Sequence, residues 1–412
     1  MVKFQMNIYA ISYLEGNEMI DKKSSYPVIL VPGVLGYGDE SSLSKFVPYF
    51  GTMSASAAKT IQSLGVDCYT ASFTPALGVW GRACELYAQI AGGTVDYGAA
   101  YSEKNGTPRF GKTYEGFVKD WGRDNKYGNF VKVTLIAHGF GAAVARLLTY
   151  LLTYGSQKEQ AAGGDVSPLF LGGNGKAVHA LVTLAGNNDG TTLFDALEDR
   201  FPGVRKTILN TLFTLSDWNP NAKALEEYLG RTRTNLFYEA GLDGMADLNK
   251  RLEISPDVYY FAYSAEATRD YGDLLPERRI RKYENPFTSR AYRRAKENRP
   301  ELTLPALPQG LAVAPTAALI GTYKNYLADA PLATPVLHPN DGFINTDNTL
   351  APSTEPARAY RSVNDTYPGE WYQMPIWKKG NSLGYLGVLQ RPDKYRDFYV
   401  DLMKIICNLI EE

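Results

Sequence analysis

The stretch spanning residues 131–152, VKVTLIAHGFGAAVARLLTYLL, constrains this chain more than any other. Val131 to Ile136 is short, apolar and β-branched, the pattern of a strand buried on both faces. From Phe140 on, Val144, Leu147, Leu148, Leu151 and Leu152 recur at helical spacing. Ala137-His138-Gly139-Phe140-Gly141 joins the two halves. A buried strand that turns at once into an apolar helix belongs in a parallel sheet with helices on its faces.

The rest of the chain repeats that alternation. Residues 27–31 (PVILV) read as a second buried strand, running into the glycine-rich loop Pro32-Gly33-Val34-Leu35-Gly36-Tyr37-Gly38. A helix is expected at about 52–64, a strand at 66–72 and a helix at 80–90. Further strands are expected at 177–184 and 257–263. The last helix carries Tyr395, Phe398, Tyr399, Leu402, Ile405, Ile406 and Leu409 on one face, with Asp393 read as its N-cap. The fold class is α/β, a mostly parallel sheet flanked by helices. Residues 1–25 read as an N-terminal extension and 26–412 as a single domain. Insertions fall at about 92–112 (polar and glycine-rich), 191–256 (helical and lid-like) and 264–335 (irregular, rich in Pro and Arg).

At 412 residues the chain is long enough for a large core. A net charge of -1 gives no general reason to bind nucleic acid. Cys68, Cys84 and Cys407 are too few and too scattered for a disulfide framework or a Cys-rich metal site, and they leave the compartment open. No signal peptide is read in the first twenty or so residues, and no run is long enough for a transmembrane helix.

Strand, tight turn and helix is also the setting in which α/β-hydrolases hold a nucleophilic serine, in the pattern G-x-S-x-G. The middle residue here is Gly139, so the attacking oxygen is missing. Long, unusual strings then carry a resemblance: RACELYAQ (82–89), GGTVDYGAA (92–100), RFGKTY (109–114), SPLF (167–170), DGTTL (189–193) and NDG (340–342). On these the chain resembles the bacterial triacylglycerol lipases of the thermoalkalophilic and staphylococcal type and their clostridial relatives. The resemblance implies an α/β-hydrolase fold, a Ser-Asp-His triad, a lid, and bound zinc and calcium.

Carried over residue by residue, the implied sites mostly fail. Gly139 stands for the serine, Asp341 for the acid, and Ser382 for the histidine. The chain has three histidines, His138, His179 and His338, and none follows Asp341. The zinc positions fall on Gly81, Tyr101, Thr107 and about Ser216, next to Asp217, and the calcium positions on Gly384 and Leu389. These are mostly poor ligands, so no cofactor or metal is expected. Leu35 and Phe140 match the residues whose backbone N–H groups form the oxyanion hole. Arg278, Arg279, Arg281, Arg293 and Arg294 form a basic stretch that is either an anion patch or a solvated surface.

The leading expectation is a lipase-like protein without catalysis, binding a lipid, fatty acid or other apolar small molecule in the former acyl pocket, or another protein. One alternative is an active carboxylic ester hydrolase using a non-standard nucleophile such as Ser382. Another is an engineered Ser-to-Gly form, which would explain Gly139 but not the missing histidine. A third is a structural or assembly role.

Overall fold

A computed structural model describes residues 26–208 (except 40, 42, 43, 45, 75 and 76), 235–270, 303–305, 313–321, 323 and 339–410. Seven strands form its central sheet: β1 (Val28–Val31), β2 (Cys68–Thr70), β3 (Val133–His138), β4 (Val178–Leu184), β5 (Tyr259–Tyr263), β6 (Ala357–Ala359) and β7 (Trp371–Gln373). Their order is β6-β7-β5-β4-β3-β1-β2, and every neighbouring pair is parallel. The chain leaves β1 toward β2, then crosses back to place β3 on the other side of β1.

Alternation along the strands supplies both faces of the sheet. Ile29, Val31, Leu135, Ala137 and Leu181 pack on one side with α2 (Val79–Ala91) and α4 (Gly141–Tyr154). Val28, Leu30, Ile136, Ala180 and Val182 pack on the other with α1 (Ala57–Ser63) and the last helix, α9 (Pro392–Cys407). Both sides of β1, β3 and β4 are therefore covered, which explains their unbroken apolar runs. The helices between include α3 (Ala99–Asn105), α5 (Leu193–Arg200), α6 (Leu236–Ala240), α7 (Leu242–Asn249) and α8 (Ala314–Gly321), with a further short helix at Gln157–Ala161.

Two local expectations are corrected. The helix expected from 52 begins at Ala57, because Gly51–Thr52 and Ala55–Ser56 form a small hairpin first and Ser56 then caps the Lys59 N–H at 3.4 Å. Asp393 does not cap α9. Arg391 holds the N-cap position, Pro392 occupies the first turn where its missing N–H costs nothing, and Asp393 adds negative charge to that turn. The polar, glycine-rich insertion near 92–112 is built as a hairpin, Gly93–Asp96 against Phe110–Tyr114, enclosing α3. Residues 1–25, His338, Ser216, Asp217 and the basic stretch with Arg278, Arg279, Arg281, Arg293 and Arg294 lie outside the described residues.

Candidate functional site

The loops that leave β1 and β3 part in opposite chain directions, so a crevice opens between them at the C-terminal ends of the strands. Gly139 sits there, directly after β3, at φ +53. A Cβ built on it meets no atom within 4 Å. The turn at Gly139 is thus left-handed, with open space where a side chain would stand. Gly141, two residues on, is needed for another reason: a Cβ there would lie 2.5 Å from the Val31 carbonyl, so α4 could not start against β1.

The two residues whose backbone N–H groups the resemblance assigns to an oxyanion hole lie on the segments that follow β1 and β3. Leu35 lies in the loop after β1 and is 39% exposed. Phe140 lies at the start of α4. Among the described residues neither amide has a hydrogen-bond acceptor. A backbone N–H left without a protein acceptor can donate to an anionic or carbonyl oxygen. The Leu35 loop is held from behind by Arg82, which is fully buried. Its Nη1 donates to the Gly33 carbonyl at 2.8 Å and its Nη2 to that of Val34 at 3.1 Å. Its guanidinium also lies over the Phe140 ring, 5.6 Å from the centroid.

His138 shares the opposite sheet face with Ile136, among Tyr49, Phe50 and Tyr385. The Tyr49 hydroxyl oxygen accepts the Gly33 N–H at 2.9 Å and lies 3.0 Å from His138 Nδ1. With its oxygen so occupied, the phenol proton goes to Nδ1, leaving the imidazole proton on Nε2. That nitrogen faces the Ser382 carbonyl at 3.2 Å and the Ser382 hydroxyl at 3.0 Å. A carbonyl can only accept, which fixes the same tautomer. Burial lowers the His138 pKa to about 4, so the ring is neutral at neutral pH. Ser382, at the start of a 3-10 turn capped by Asn381, is itself buried. The structure thus brings a histidine to Ser382, a contact between residues far apart in sequence that no local pattern signals.

Asp341 lies one hydrogen bond from this group: its carbonyl accepts the Ser382 N–H at 3.1 Å. Its Oδ1 accepts the Phe343 and Ile344 N–H groups, both at 2.8 Å. Its Oδ2 is buried with no partner among the described residues. Asn340 beside it donates to the Ala317 carbonyl of α8, and Val313 packs against Gly342, so this end of the turn is roofed by apolar groups. Burial pushes the Asp341 carboxyl up to about 7, and the two amide bonds only partly offset that. Among the described residues no imidazole bonds Asp341; His138 bonds Ser382 instead.

The implied metals do not fit the residues present. Gly81 faces Leu77 within α2. Tyr101 stacks on Trp80 at 5.4 Å, and the other face of Trp80 stacks on Phe170 at 5.5 Å. The Trp80 ring N–H donates to the Tyr97 carbonyl at 2.8 Å. Three aromatic rings and Thr107 therefore stand where a zinc site would need nitrogen and carboxylate donors. At the calcium positions, a Cβ on Gly384 would strike the Trp377 ring at 2.5 Å, and Leu389 is an exposed aliphatic residue at φ +57. Among the described residues no group of three or more His, Cys, Asp or Glu is placed to hold a metal ion.

With this geometry in hand, the comparisons with known proteins fix the class. The chain belongs to the family of lipase-like proteins described by the "Lipase-like, C-terminal domain" model, which matches residues 24–275. It is 33% identical over 272 residues to "Lipase 1" of Staphylococcus aureus, a match that takes in 60% of this chain and 39% of that relative's length. The described structure resembles that of EstA from Clostridium botulinum, with a TM-score of 0.74, 27% identity, and coverage of 94% of this chain and 88% of that one. Lipase 1 from Pelosinus fermentans gives a TM-score of 0.71 at 26% identity, covering 92% of this chain and 99% of that one. The fold is that of the α/β-hydrolases. Among the described residues, no helix is long and apolar enough to cross a membrane.

Proposed function

We propose that this chain is a catalytically silent lipase-like protein that binds the carboxylate or ester carbonyl of a fatty-acyl compound at the Leu35 and Phe140 amides. One observation carries the reading: the elbow at Gly139 retains its φ of +53 and its open front but has no nucleophile. In a Ser-His-Asp centre the histidine accepts the serine proton and the acid orients the histidine. Here Gly139 has no proton to give, Ser382 cannot act as that base, and among the described residues the Asp341 side chain bonds only its own turn. The oxyanion cradle asks nothing of side chains, so it outlives the triad. We read residues 26–412 as one unit built around that cradle.

A second reading rests on the 3.0 Å contact between His138 Nε2 and the Ser382 hydroxyl. It would make Ser382 the nucleophile and His138 its base. The tautomer opposes it, since Nε2 already carries a proton, and Ser382 is only 2% exposed. A fluorophosphonate probe and a short-chain ester assay separate the two. The binding reading expects no labelling and no turnover above the no-protein control. Labelling abolished by Ser382→Ala would establish the second reading and overturn the first. For binding itself, Leu35→Pro deletes one cradle N–H whereas Leu35→Ala keeps it. A hydrogen bond to a charged group contributes about 1.5–3 kcal/mol, so oleate affinity should fall about tenfold or more in the proline variant alone. Equal affinity in both variants would refute the cradle.

A further inference from the structure

The short helix α6 is tied to the rest of the molecule at two points. At one, Glu239 reaches the start of α2, where its Oε2 accepts the Val79 N–H at 2.6 Å. The fit is close: a Cβ on Gly78 would lie 1.9 Å from that oxygen, so only glycine admits the carboxylate. At the other, the Ala240 carbonyl accepts the Asn187 side-chain amide at 2.9 Å and the Thr191 N–H at 2.9 Å. The Asn187 N–H in turn donates to the Gly139 carbonyl at 2.8 Å. One turn into α2, Arg82 grips the carbonyls of Gly33 and Val34. Glu239 and Ala240 therefore connect, through Arg82 on one side and Asn187 on the other, to the two loops that carry the Leu35 and Phe140 amides.

We propose that Glu239 is a proton-controlled latch that couples the docking of α6 to the geometry of the cradle. The charged groups acting on it are Arg82 of α2 and Arg251 just beyond α7. Glu85, also on α2, is engaged elsewhere, by the Thr74 N–H and hydroxyl and by the Tyr97 hydroxyl. Burial outweighs both arginines and pushes the Glu239 carboxyl from 4.5 up to about 7. An undocked Glu239 in water returns to its ordinary value, so the docked form holds its proton more tightly. Docking is then strongest in acid and weakens as pH rises from the ordinary value through 7. The separation allows a change of up to about 10²-fold in the docking equilibrium.

The latch rests on the proposed cradle only for its consequence, so its test reads backbone opening. Hydrogen exchange is followed on the full chain at pH 5.5, 7 and 8.5, corrected for intrinsic rates, in peptides covering α6, the first turn of α2, residues 33–36 and α9. In the unsubstituted protein, protection of the first three should fall at least tenfold from pH 5.5 to 8.5 while α9 holds. Glu239→Gln, neutral throughout, should keep acid-like protection at every pH. Gly78→Ala, which wedges the carboxylate out, should lose it at every pH. A Glu239→Gln profile with the same pH dependence as the unsubstituted protein would overturn the latch, as would a loss shared equally by α9. Oleate affinity, measured at the same pH values, should weaken with α6 protection. If oleate fails to bind at any pH while the exchange profiles hold, the cradle reading fails and the latch stands.

Discussion

Asp341 should make this protein less stable as pH rises through neutrality, and Asp341→Asn should remove that slope. The carboxyl is fully buried, its Oδ2 has no partner among the described residues, and burial pushes it up to about 7 in the fold from 3.8 in water. Because the folded value is the higher one, the native state holds the proton through a window in which the unfolded chain has released it. Its contribution to stability is greatest below 3.8, declines as pH climbs, and levels off above 7. The gap corresponds to a ceiling of about 4 kcal/mol. Asparagine keeps the acceptor used by the Phe343 and Ile344 amides but puts an unpaired NH2 where Oδ2 lies, at a cost of about 1–3 kcal/mol. The variant should therefore be the less stable form at pH 4.5 and gain on the unsubstituted protein by about 2–4 kcal/mol on going to pH 8. Urea unfolding of both proteins at five pH values gives that difference directly, and the slope contributed by Glu239 cancels in it. A difference that stays flat with pH, or moves in favour of aspartate as pH rises, would show that the carboxylate is ionised and partnered in the fold.

Other substitutions test the elbow and its support. Gly139→Ala should cost only about 1 kcal/mol, the strain of a positive φ with free space ahead, whereas Gly141→Ala should prevent normal packing of α4 on β1 and cost several times more in thermal unfolding. Gly139→Ser combined with Ser382→His should yield measurable hydrolysis of a short-chain ester and fluorophosphonate labelling at position 139, while Gly139→Ser alone should yield far less; an inactive but folded double variant would mean that Asp341 no longer presents its carboxylate to that position. Tyr49→Phe leaves the Gly33 N–H and His138 Nδ1 without their shared partner and should lower stability by about 1–3 kcal/mol in urea, so a neutral result would refute the assigned tautomer network.

Much of the frame was legible because strands buried on both faces and helices buried on one leave distinct periods in a sequence. β1, β3, β4 and α4 fall close to where apolar spacing put them. The start of α1 did not, since the hairpin of Gly51 to Ser56 carries no periodic signal. The start of α9 was misread because Asp393 suits an N-cap as a residue type, whereas Pro392 settles the position through its fixed φ. That Gly139 and Ser382 stand where the resemblance expects serine and histidine could be read one residue at a time. The contact between His138 and Ser382 could not: they meet because β3 ends beside the turn that precedes α9. Glu239 was equally silent, since an acidic residue in a helical segment looks solvated until Gly78 is seen pressed against it. The same holds for Trp80, whose two covered faces depend on Tyr101 and Phe170 arriving from separate elements.

The junction of β1 and β3 also governs how the protein comes to be functional at all. Its two cradle amides lie on segments separated by about a hundred residues, and parallel strands so far apart in sequence pair slowly because a long loop must close before any contact rewards it. The register Val31↔Ala137 is what brings those segments side by side. The cradle therefore has no local precursor: a collapsed intermediate with α4 and α9 already helical would still lack it. Under the proposed acyl binding, its acquisition during refolding would time the zippering of this single strand pair, and a nascent chain emerging from the ribosome could not hold ligand until β3 had been made.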